Sequence, residues 1–441
     1  MLLQMAEWVL LVTAAAVIVA NKIVAAQSVE RSGSKRGTRK VSNNDRTSAQ
    51  PEHVRDEGLP RKYERLGHVV VVKESPGYSR EQLGSLAAAF AKSFQPPVFV
   101  VLLDTKGIQG ELRRPSTELL WMDRDNAMRI VEATVGRVAK SFESATAAVA
   151  ASPTKAVGKQ QVDDGSSDRH PVSHEGADDV TRGSLLDDLL HPAFTTIIEN
   201  RVKYSLDAAK VMFCSGNTTE RMHFSGLGKR PLETAVDMFC GIGYFTLPFA
   251  MYGQPKCIWA IDKNQDSVRY MAFNAVQNGV DGIVRVLHGD NREVGNELVG
   301  TADRVFMGYI PSCKVFIRRA VSFLKKQRPS GNQGDLSAVS SAALSVSRNR
   351  RRSTSPQTDP SGAAVATSSM RPQGTVHYHF LASDRKSAYS VAHHNFVSEL
   401  GEDSVECFSI RALREVKSFA PRQYHYVADV VFGRESQPDE P

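Results

Sequence analysis

Cysteine is scarce in this sequence, and its spacing argues against a disulfide framework or a zinc site. The 441 residues include five cysteines, an odd number without any Cys-x-x-Cys pair: Cys214, Cys240, Cys257, Cys313 and Cys407. Disulfide frameworks use even sets of cysteines, and structural zinc sites use closely spaced pairs. We therefore expect a reducing compartment, the cytoplasm, and no metal site.

The N-terminal segment also lacks the features of an ordinary signal peptide. Trp8–Ala20 is apolar without interruption, but these 13 residues are short for a membrane span. The run reaches 19 residues if it is extended through Ala26, with Lys22 inside it. No basic region precedes the run, and Glu7 is acidic, which argues against secretion. Three interpretations stay open for residues 1–26: a weak membrane anchor that leaves the rest of the chain in the cytosol, an amphipathic helix, or a start codon placed too far upstream.

An excess of acidic residues is absent as well. Lys and Arg number 55 against 48 Asp and Glu, which gives a net charge of +7. A mild basic excess fits an anionic partner such as RNA, although proteins without such a partner share it. The stretch at 314–328 is predicted to place four of its basic residues on a helix, either for RNA or as a solvated face: Lys314, Arg318, Arg319 and Lys325. No internal repeat is evident, and we expect a monomer.

Composition divides the chain into segments. Residues 27–59 are polar, basic and rich in serine, which is typical of a disordered linker. Two later stretches without apolar periodicity are predicted as disordered insertions. The predicted organisation is an apolar segment at 1–26, a linker at 27–59, an N-terminal α+β domain at 60–232 with an insertion at 143–183, a Rossmann-like catalytic domain at 233–433 with an insertion at 327–372, and a tail at 434–441.

From residue 234 onward, short apolar runs alternate with amphipathic helical patterns. A strand at 234–239 precedes a helix at 244–252, and a strand that ends at Asp262 precedes a helical pattern that begins at Gln265. Such alternation predicts parallel strands joined by helices, and hence a doubly wound α/β sheet of the Rossmann-like type. The last two strand patterns, CFSIRALREV and YHYVADVVF, are expected to pair at the sheet edge.

One junction between a strand and a helix carries a glycine turn, VDMFCGIGYFTLPFA at residues 236–250. Gly241 and Gly243 flank one residue, and the absence of a Cβ lets a backbone approach a ligand closely. The carboxyl ends of parallel strands line the crevice where open α/β sheets bind ligands. We therefore expect one ligand near the three acids that end or follow successive strands, Asp237, Asp262 and Asp290.

The third glycine of a dinucleotide-binding turn is missing. After Gly243 the sequence continues Tyr244-Phe245-Thr246, so the G-x-G-x-x-G pattern that cradles a pyrophosphate is broken. Asp262, at the end of the second strand, suits the two hydroxyls of a ribose. The pattern predicts a nucleoside ligand without a pyrophosphate, for which S-adenosylmethionine is the obvious candidate. A structural turn with scattered solvent-facing acids is the alternative.

Four linked motifs resemble those of one group of tRNA-modifying enzymes: VDMFCGIGYFTLPFA, GDNRE, ADRVFMGYIP and REVKSFAP. The similarity covers roughly residues 60–140 and 195–433. The sequence is similar to the class I tRNA position-37 enzymes, which include the guanine N1-methyltransferases and the wybutosine-synthesising protein 2 family of aminocarboxypropyltransferases. The resemblance implies a class I S-adenosylmethionine-dependent fold with a smaller N-terminal domain, S-adenosyl-L-methionine as cofactor, and tRNA as partner.

Two segments separate the subfamilies. The Gly-Tyr-Ile-Pro-Ser sequence at 308–312 resembles the Gly-Leu-Ile-Pro-Ser form of the aminocarboxypropyl enzymes, whereas the methyltransferases tend to carry an Asn-Leu-Pro type motif there. Met212-Phe213, Gly216-Asn217 and Glu220-Arg221 match the pattern of the wybutosine enzymes. The resemblance implies transfer of the 3-amino-3-carboxypropyl group to 4-demethylwyosine at position 37 of phenylalanine tRNA. Guanine-37 N1-methylation and a non-catalytic RNA-binding protein on the same fold are the alternatives.

The resemblance also implies roles for individual residues. Arg221 would pair with the methionine carboxylate of the cofactor, and Asp262 would hold the ribose. Asp290 and Asn291 would bind the adenine edge. Cys214 takes a position where the family often has serine, and a thiol is a weaker donor. No residue is identified as a general base, and the predicted cofactor-binding residues are Cys214, Arg221, Asp237, Gly241, Gly243, Asp262, Asp290 and Asn291.

Overall fold

The structure is a computed structural model that describes residues 60–74, 77–150, 189–327 and 371–433, the last ten residues of the second range by their backbone alone. The segments predicted at 1–26, 27–59 and 434–441 lie outside the described residues, as do most of the two predicted insertions. In the part of the chain that the structure describes, every helix is too short or too polar to cross a membrane.

The chain divides into two compact units, Met1–Val294 and Gly295–Pro441. The predicted domain limit between residues 232 and 233 stays a prediction. The described elements of the first unit are β1 (Tyr63–Leu66), β2 (Val69–Lys73), α1 (Arg80–Lys92), β3 (Val100–Gln109), β4 (Arg114–Met122), α2 (Arg124–Ala150), β5 (Phe194–Glu199), β6 (Val202–Asp207), α3 (Thr218–Ser225), β7 (Thr234–Asp237), β8 (Cys257–Asp262), α4 (Gln265–Gln277) and β9 (Val284–His288). Those of the second unit are β10 (Arg304–Met307), α5 (Ile317–Phe323), β11 (Lys325–Gln327), β12 (Arg371–Ala382), α6 (Arg385–Leu400), β13 (Phe408–Ala420) and β14 (Gln423–Phe432).

The N-terminal part of the first unit is a four-stranded sheet in the order β1-β2-β3-β4. β2 and β3 are parallel, and the other neighbours are antiparallel. Helix α1 begins at a capping box formed by Ser79 and Gln82. Val70, Leu83 and Phe90 are buried in one cluster, so apolar burial holds α1 against the sheet. The predicted α+β character of this part is confirmed.

Strands β7, β8 and β9 are the parallel strands that position the candidate site. Val236 of β7 lies opposite Trp259, and Asp262 of β8 lies opposite His288. This register brings the carboxyl ends of the three strands to one edge, as the alternating pattern predicted. Helix α4 connects β8 to β9, and its N-cap is Asn264, whose side chain accepts a hydrogen bond from a backbone N–H of the first turn.

The second unit contains a mixed sheet. β10 and β12 are parallel, β14 is antiparallel to β12, and β13 is antiparallel to β14. The short turn between β13 and β14 contains Arg422 at φ +58°, so the two strands form a hairpin. The predicted pairing of the last two strands is confirmed. Parallel strands connected by helices in both units confirm the class I Rossmann-like α/β fold.

Two helices end elsewhere than the sequence pattern predicts. α2 continues to Ala150, eight residues into the insertion predicted at 143–183, because this stretch is rich in alanine, the strongest helix former. The helix predicted at 244–252 is a single turn, Thr246–Pro248, followed by a π-helical turn at Phe249–Gly253. Proline lacks the N–H that a regular helix interior needs.

The basic stretch predicted as one helix at 314–328 is also divided. α5 ends at Phe323, and Lys325 lies in β11, where pairing with β12 satisfies the backbone groups. Lys325 forms an ion pair with Asp303 at 2.7 Å. The Arg319 guanidinium lies over the Phe323 ring, 4.5 Å from its centroid. The four basic residues singled out in this stretch therefore do not share one helix face.

Candidate functional site

The turn after β7 is shaped by two glycines with a left-handed backbone. Gly241 has φ +53° and Gly243 has φ +103°, a region that residues with a Cβ rarely adopt. A Cβ on Gly243 would lie 2.6 Å from Leu247 Cγ and 2.7 Å from Met271 Sδ. Gly243 is therefore required by packing as well as by conformation, and its small size lets the turn pass closely over α4.

Asp262 ends β8 and joins this turn to the start of α4. One carboxylate oxygen accepts from Gly241 N at 2.8 Å, and the other accepts from Asn264 N at 2.8 Å. Burial raises the pKa of Asp262, and the two N–H donors oppose that rise. The side chain is partly exposed, and a carboxylate offers about four acceptor positions, so two remain for a ligand. The two neighbouring hydroxyls of a ribose fit this set of acceptors.

Asp237 ends β7 and is 0% exposed. Its Oδ2 accepts from Thr246 Oγ1 at 2.7 Å, and its Oδ1 accepts from Phe239 N at 3.2 Å. In this structure Asp237 holds the two sides of the turn together, and its contact with the cofactor stays a prediction. Burial is the main cause that raises the pKa of Asp237 to about 7.

We expect the contribution of Asp237 to the stability of the fold to fall as the pH rises from about 4 to about 7. An aspartate in the unfolded chain has a pKa of about 3.9, so in this window the folded protein keeps a proton that the unfolded chain has lost. Asp237→Asn cannot titrate and should escape this loss, which we put at about 1–4 kcal/mol. Urea unfolding of both proteins at several pH values measures the difference, and parallel pH profiles would contradict the prediction.

Asp290 follows β9 and is held as an anion. Arg292 donates to both of its carboxylate oxygens, one of them from Nε at 2.9 Å, and Lys263 Nζ lies 3.4 Å from Oδ2. Arg292 holds the pKa of Asp290 well below its usual range. The neighbouring Asn291 is buried, and its Nδ2 donates to Met238 O at 2.9 Å. Both residues therefore lie beside the turn after β7, and their contacts with an adenine stay predictions.

Arg221, on α3, is buried among aromatic rings and paired with an acid. Its guanidinium donates to Glu199 and, at 2.8 Å, to Cys214 O. Glu199 ends β5, 22 positions earlier, and the sequence patterns gave no sign of this pairing. The predicted contact of Arg221 with the methionine carboxylate stays a prediction. The guanidinium carbon lies 5.5–5.9 Å from three ring centroids, those of Tyr204, Phe213 and Tyr244.

All eight predicted cofactor-binding residues lie in the first unit, in two groups. Cys214 and Arg221 belong to the segment that leads into and forms α3, and the Cys214 thiol is partly exposed. The backbone N–H of Cys214 donates to Tyr244 Oη at 3.2 Å, so this segment is tied to the turn after β7. The other six lie at the carboxyl ends of β7, β8 and β9: Asp237, Gly241, Gly243, Asp262, Asp290 and Asn291.

Asn274, on α4, supports the site and was not predicted from the sequence. Its side chain is 0% exposed, accepts from Ser205 N at 2.7 Å, and donates to Ser205 O at 3.1 Å and Ile242 O at 3.0 Å. It therefore ties α4 to β6 and to the glycine turn. The signal that could have found it is an amide residue on the apolar face of the helical pattern.

Asn274→Ala should lower the free energy of unfolding by about 2–4 kcal/mol, since buried backbone groups without a partner cost about 1–3 kcal/mol each. Asn278 is a matched control, because it makes the same reciprocal bonds with the backbone of Lys203, at 2.9 Å and 2.8 Å, where water has access. Asn278→Ala should cost less than about 1 kcal/mol. Urea unfolding compares the two variants, and equal losses would show that burial is not the cause.

Two of the motifs that carried the family resemblance lie in the second unit. Residues 308–312 follow β10 directly, and Pro311 and Ser312 are exposed. The other is the Lys-Ser-Phe-Ala-Pro motif at 417–421. Its first four residues form the end of β13, because they continue the antiparallel pairing with β14.

Comparison with known families decides between the interpretations of this glycine turn. Residues 195–328 match the family described as "TRM5/TYW2 methyltransferase domain", and residues 48–122 match the "TYW2 N-terminal domain". Residues 195–328 of this chain are thus similar to the TRM5/TYW2 domain. The resemblance inferred from the motifs is confirmed. The match at 195–328 contains every predicted cofactor-binding residue of the TRM5/TYW2 domain.

Two relatives are similar in sequence. Both are named "tRNA(Phe) (4-demethylwyosine(37)-C(7)) aminocarboxypropyltransferase". The relative from Methanocaldococcus jannaschii is 41% identical over 122 residues, which are 28% of this chain and 47% of the relative. The relative from Pyrococcus horikoshii is 40% identical over 131 residues, 30% of this chain and 46% of the relative. The matched part thus spans about half the length of these relatives.

A solved structure gives a weaker likeness. The crystal structure of M. jannaschii TYW2 in complex with AdoMet aligns with 55% of this chain and 87% of its own, at 28% identity and a TM-score of 0.41. A TM-score this low adds nothing to what the strand pairing and the TRM5/TYW2 match already establish.

Proposed function

We propose that this chain is a tRNA aminocarboxypropyltransferase, which transfers the 3-amino-3-carboxypropyl group of S-adenosylmethionine to 4-demethylwyosine at position 37 of tRNA(Phe). The observation that carries the proposal is the 41% identity over 122 residues to a relative named for this activity. The match of residues 48–122 to the TYW2 N-terminal domain supports the same subfamily over the N1-methyltransferases.

The strand ends supply the contacts that this cofactor needs. Asp262 would accept hydrogen bonds from both ribose hydroxyls through the acceptor positions that Gly241 N and Asn264 N leave open. The fixed anion Asp290, with the buried Asn291, would face the adenine edge. These side chains are already held by hydrogen bonds, so little ordering is needed when the nucleoside binds.

When bound, the cofactor would supply a sulfonium with an electrophilic methionine Cγ. Transfer would join this carbon to a carbon of the base, break the Cγ–S bond with its electron pair going to the sulfur of the leaving methylthioadenosine, and release the proton of the base carbon to water. The chain's contribution is positioning, since the geometry of approach decides which carbon next to the sulfur reacts. Arg221 and the Cys214 backbone would border the methionine end, because both lie beside the turn that holds the ribose end.

The test is a double-label incubation of the full chain with tRNA(Phe) that carries 4-demethylwyosine. One reaction contains S-adenosylmethionine labelled in the methyl group, and a parallel reaction contains cofactor labelled in the carboxypropyl group. We expect label in the tRNA only from the second reaction, together with methylthioadenosine. Label from the methyl group alone, with S-adenosylhomocysteine, in the same pair of reactions on tRNA(Phe) that carries guanine at position 37, would replace the proposal by the N1-methyltransferase. Absence of cofactor binding in calorimetry would favour a non-catalytic RNA-binding protein.

The proposal includes tRNA as partner and the cytoplasm as location. The net charge of +7 supports attraction to a polyanion. All five cysteines are free thiols, which supports a reducing compartment. Filter binding of tRNA(Phe) at increasing salt checks the first part, since an electrostatic complex weakens steeply with salt.

A further inference from the structure

Tyr244, inside the glycine turn, reaches a segment 30 positions earlier in the chain. Its hydroxyl donates to Met212 O at 2.6 Å and accepts from Cys214 N at 3.2 Å. One side chain thereby holds two backbone groups of the segment that leads into α3. The position of residues 212–214 relative to the turn therefore depends on the two hydrogen bonds of this hydroxyl.

The Tyr244 ring is itself fixed against the turn. It stacks on Tyr204 with ring centroids 6.0 Å apart, and it lies 5.8 Å from the Phe213 ring. A Cβ on Gly241 would lie 3.2 Å from the Tyr244 ring, so this glycine rests directly on the aromatic face or edge. Burial raises the pKa of Tyr244, which keeps the hydroxyl protonated and able to donate. The ring therefore holds residues 212–214 at a fixed position relative to the turn.

The Cys214 residue is held from its other side by Arg221. The guanidinium donates to Cys214 O at 2.8 Å while Tyr244 Oη accepts from Cys214 N. Arg221 in turn donates to Glu199 and, at 3.1 Å, to Thr218 Oγ1. Both backbone polar groups of Cys214 thus have fixed partners, and loss of the tyrosine hydroxyl would release one of the two.

We propose that Tyr244 is a positioning residue that fixes the backbone of residues 212–214 against the glycine turn and so selects which carbon of the sulfonium is presented to the acceptor base. This inference rests on the proposed function. The methionine end of the cofactor would lie along residues 212–214, and the ribose end is held at Asp262. A displacement of about 1 Å between the two ends is enough to cost about a hundredfold in rate at one carbon.

The test compares the full-length wild type with Tyr244→Phe, which keeps the ring and removes only the hydroxyl. Hydrogen exchange at the Cys214 amide should become at least about tenfold faster, because this acceptor is gone. The Kd for S-adenosylmethionine should rise about tenfold, because the cofactor must then order residues 212–214 as it binds. The ratio of methylthioadenosine to S-adenosylhomocysteine formed with the tRNA substrate should fall at least about tenfold.

Tyr252→Phe is the matched control. Its hydroxyl donates to Asn200 O at 2.6 Å, another long-range bond in the same unit, and this bond involves neither the glycine turn nor residues 212–214. The variant should leave the exchange at Cys214, the Kd and the product ratio unchanged. If Tyr244→Phe loses its folded structure, 4-fluorophenylalanine at position 244 fills the volume of the hydroxyl without donating.

The outcomes separate the inference from the proposed function. An unchanged product ratio together with unchanged exchange at Cys214 in Tyr244→Phe would overturn the role of Tyr244. A wild type that transfers no aminocarboxypropyl group would overturn the proposed function. The exchange and binding measurements would then still show whether Tyr244 fixes residues 212–214. Equal effects of Tyr244→Phe and Tyr252→Phe would mean a general loss of rigidity and would also overturn the inference.

Discussion

Asp262→Asn should weaken S-adenosylmethionine binding about a hundredfold, or about 2.7 kcal/mol, because hydrogen bonds to a charged acceptor are worth about 1.5–3 kcal/mol. In the wild type the carboxylate accepts from Gly241 N and Asn264 N and has acceptor positions left for two ribose hydroxyls. An amide keeps only one oxygen. Its NH₂ group replaces the other oxygen and is a donor. It would face either a backbone N–H, which is also a donor, or a ribose hydroxyl, which would lose its charged acceptor. Isothermal titration of the cofactor into the full chain measures the loss.

The control for this prediction is Asp281→Asn. Asp281 is exposed before β9, at the opposite end of the strands from Asp262. The same change of charge there should leave the Kd within about twofold of the wild type, since exposed charges at a distance are screened by salt. If both variants bind alike, or if Asp262→Asn binds as tightly as the wild type, Asp262 does not hold the ribose.

Gly243→Ala should lower the free energy of unfolding by about 2–5 kcal/mol, from two separate causes. The backbone at φ +103° is strained for any residue with a Cβ, which costs about 1–3 kcal/mol. The new Cβ would also lie 2.6 Å from Leu247 Cγ and 2.7 Å from Met271 Sδ, which forces α4 away from the turn. Overpacking of this kind costs about 1–3 kcal/mol. Urea unfolding of the full chain, followed by circular dichroism, measures the sum.

Two other glycines of the same unit separate the causes. Gly279 has φ +69°, and a Cβ there would meet no atom within 4 Å, so Gly279→Ala should show the backbone strain alone, about 1 kcal/mol. Gly282 has neither a left-handed backbone nor a neighbour within 4 Å of such a Cβ, so Gly282→Ala should be neutral or slightly stabilising. If Gly243→Ala is as stable as Gly279→Ala, the Cβ at position 243 does not overpack the turn, and the prediction is wrong.

The most reliable predictions from sequence concerned features that repeat locally. Short apolar runs that alternate with helical patterns predicted β7, β8, β9 and the helix between the last two, and the strand pairing confirmed the strands. Gly241 and Gly243 could be placed at a turn because a position that needs a left-handed backbone is visible as glycine. Asp262 could be placed at the same edge because parallel strands end together.

Partners that lie far apart along the chain could not be predicted in this way. Glu199 and Arg221 are 22 positions apart, and Tyr244 reaches Met212 over 32 positions. Neither pair forms a period or a motif, so only the packing of β5, α3 and the glycine turn brings them together. The length of α2 was underestimated for the opposite reason, since a polar, alanine-rich stretch was interpreted as a loop although its helix propensity is high.

Asp237 and Asp262 show most clearly what each level of structure decides. Both are acids at the carboxyl end of a parallel strand, and the sequence by itself determined that much, together with the Rossmann-like class and the glycine turn between them. Only the tertiary structure decided that Asp237 is sealed under Thr246 with a pKa near neutrality, while Asp262 keeps acceptor positions open at the crevice. The reason is that strand and helix periods follow from neighbouring residues, whereas burial, and with it the charge and the free hydrogen-bonding capacity of a carboxylate, depends on which distant side chains pack over it.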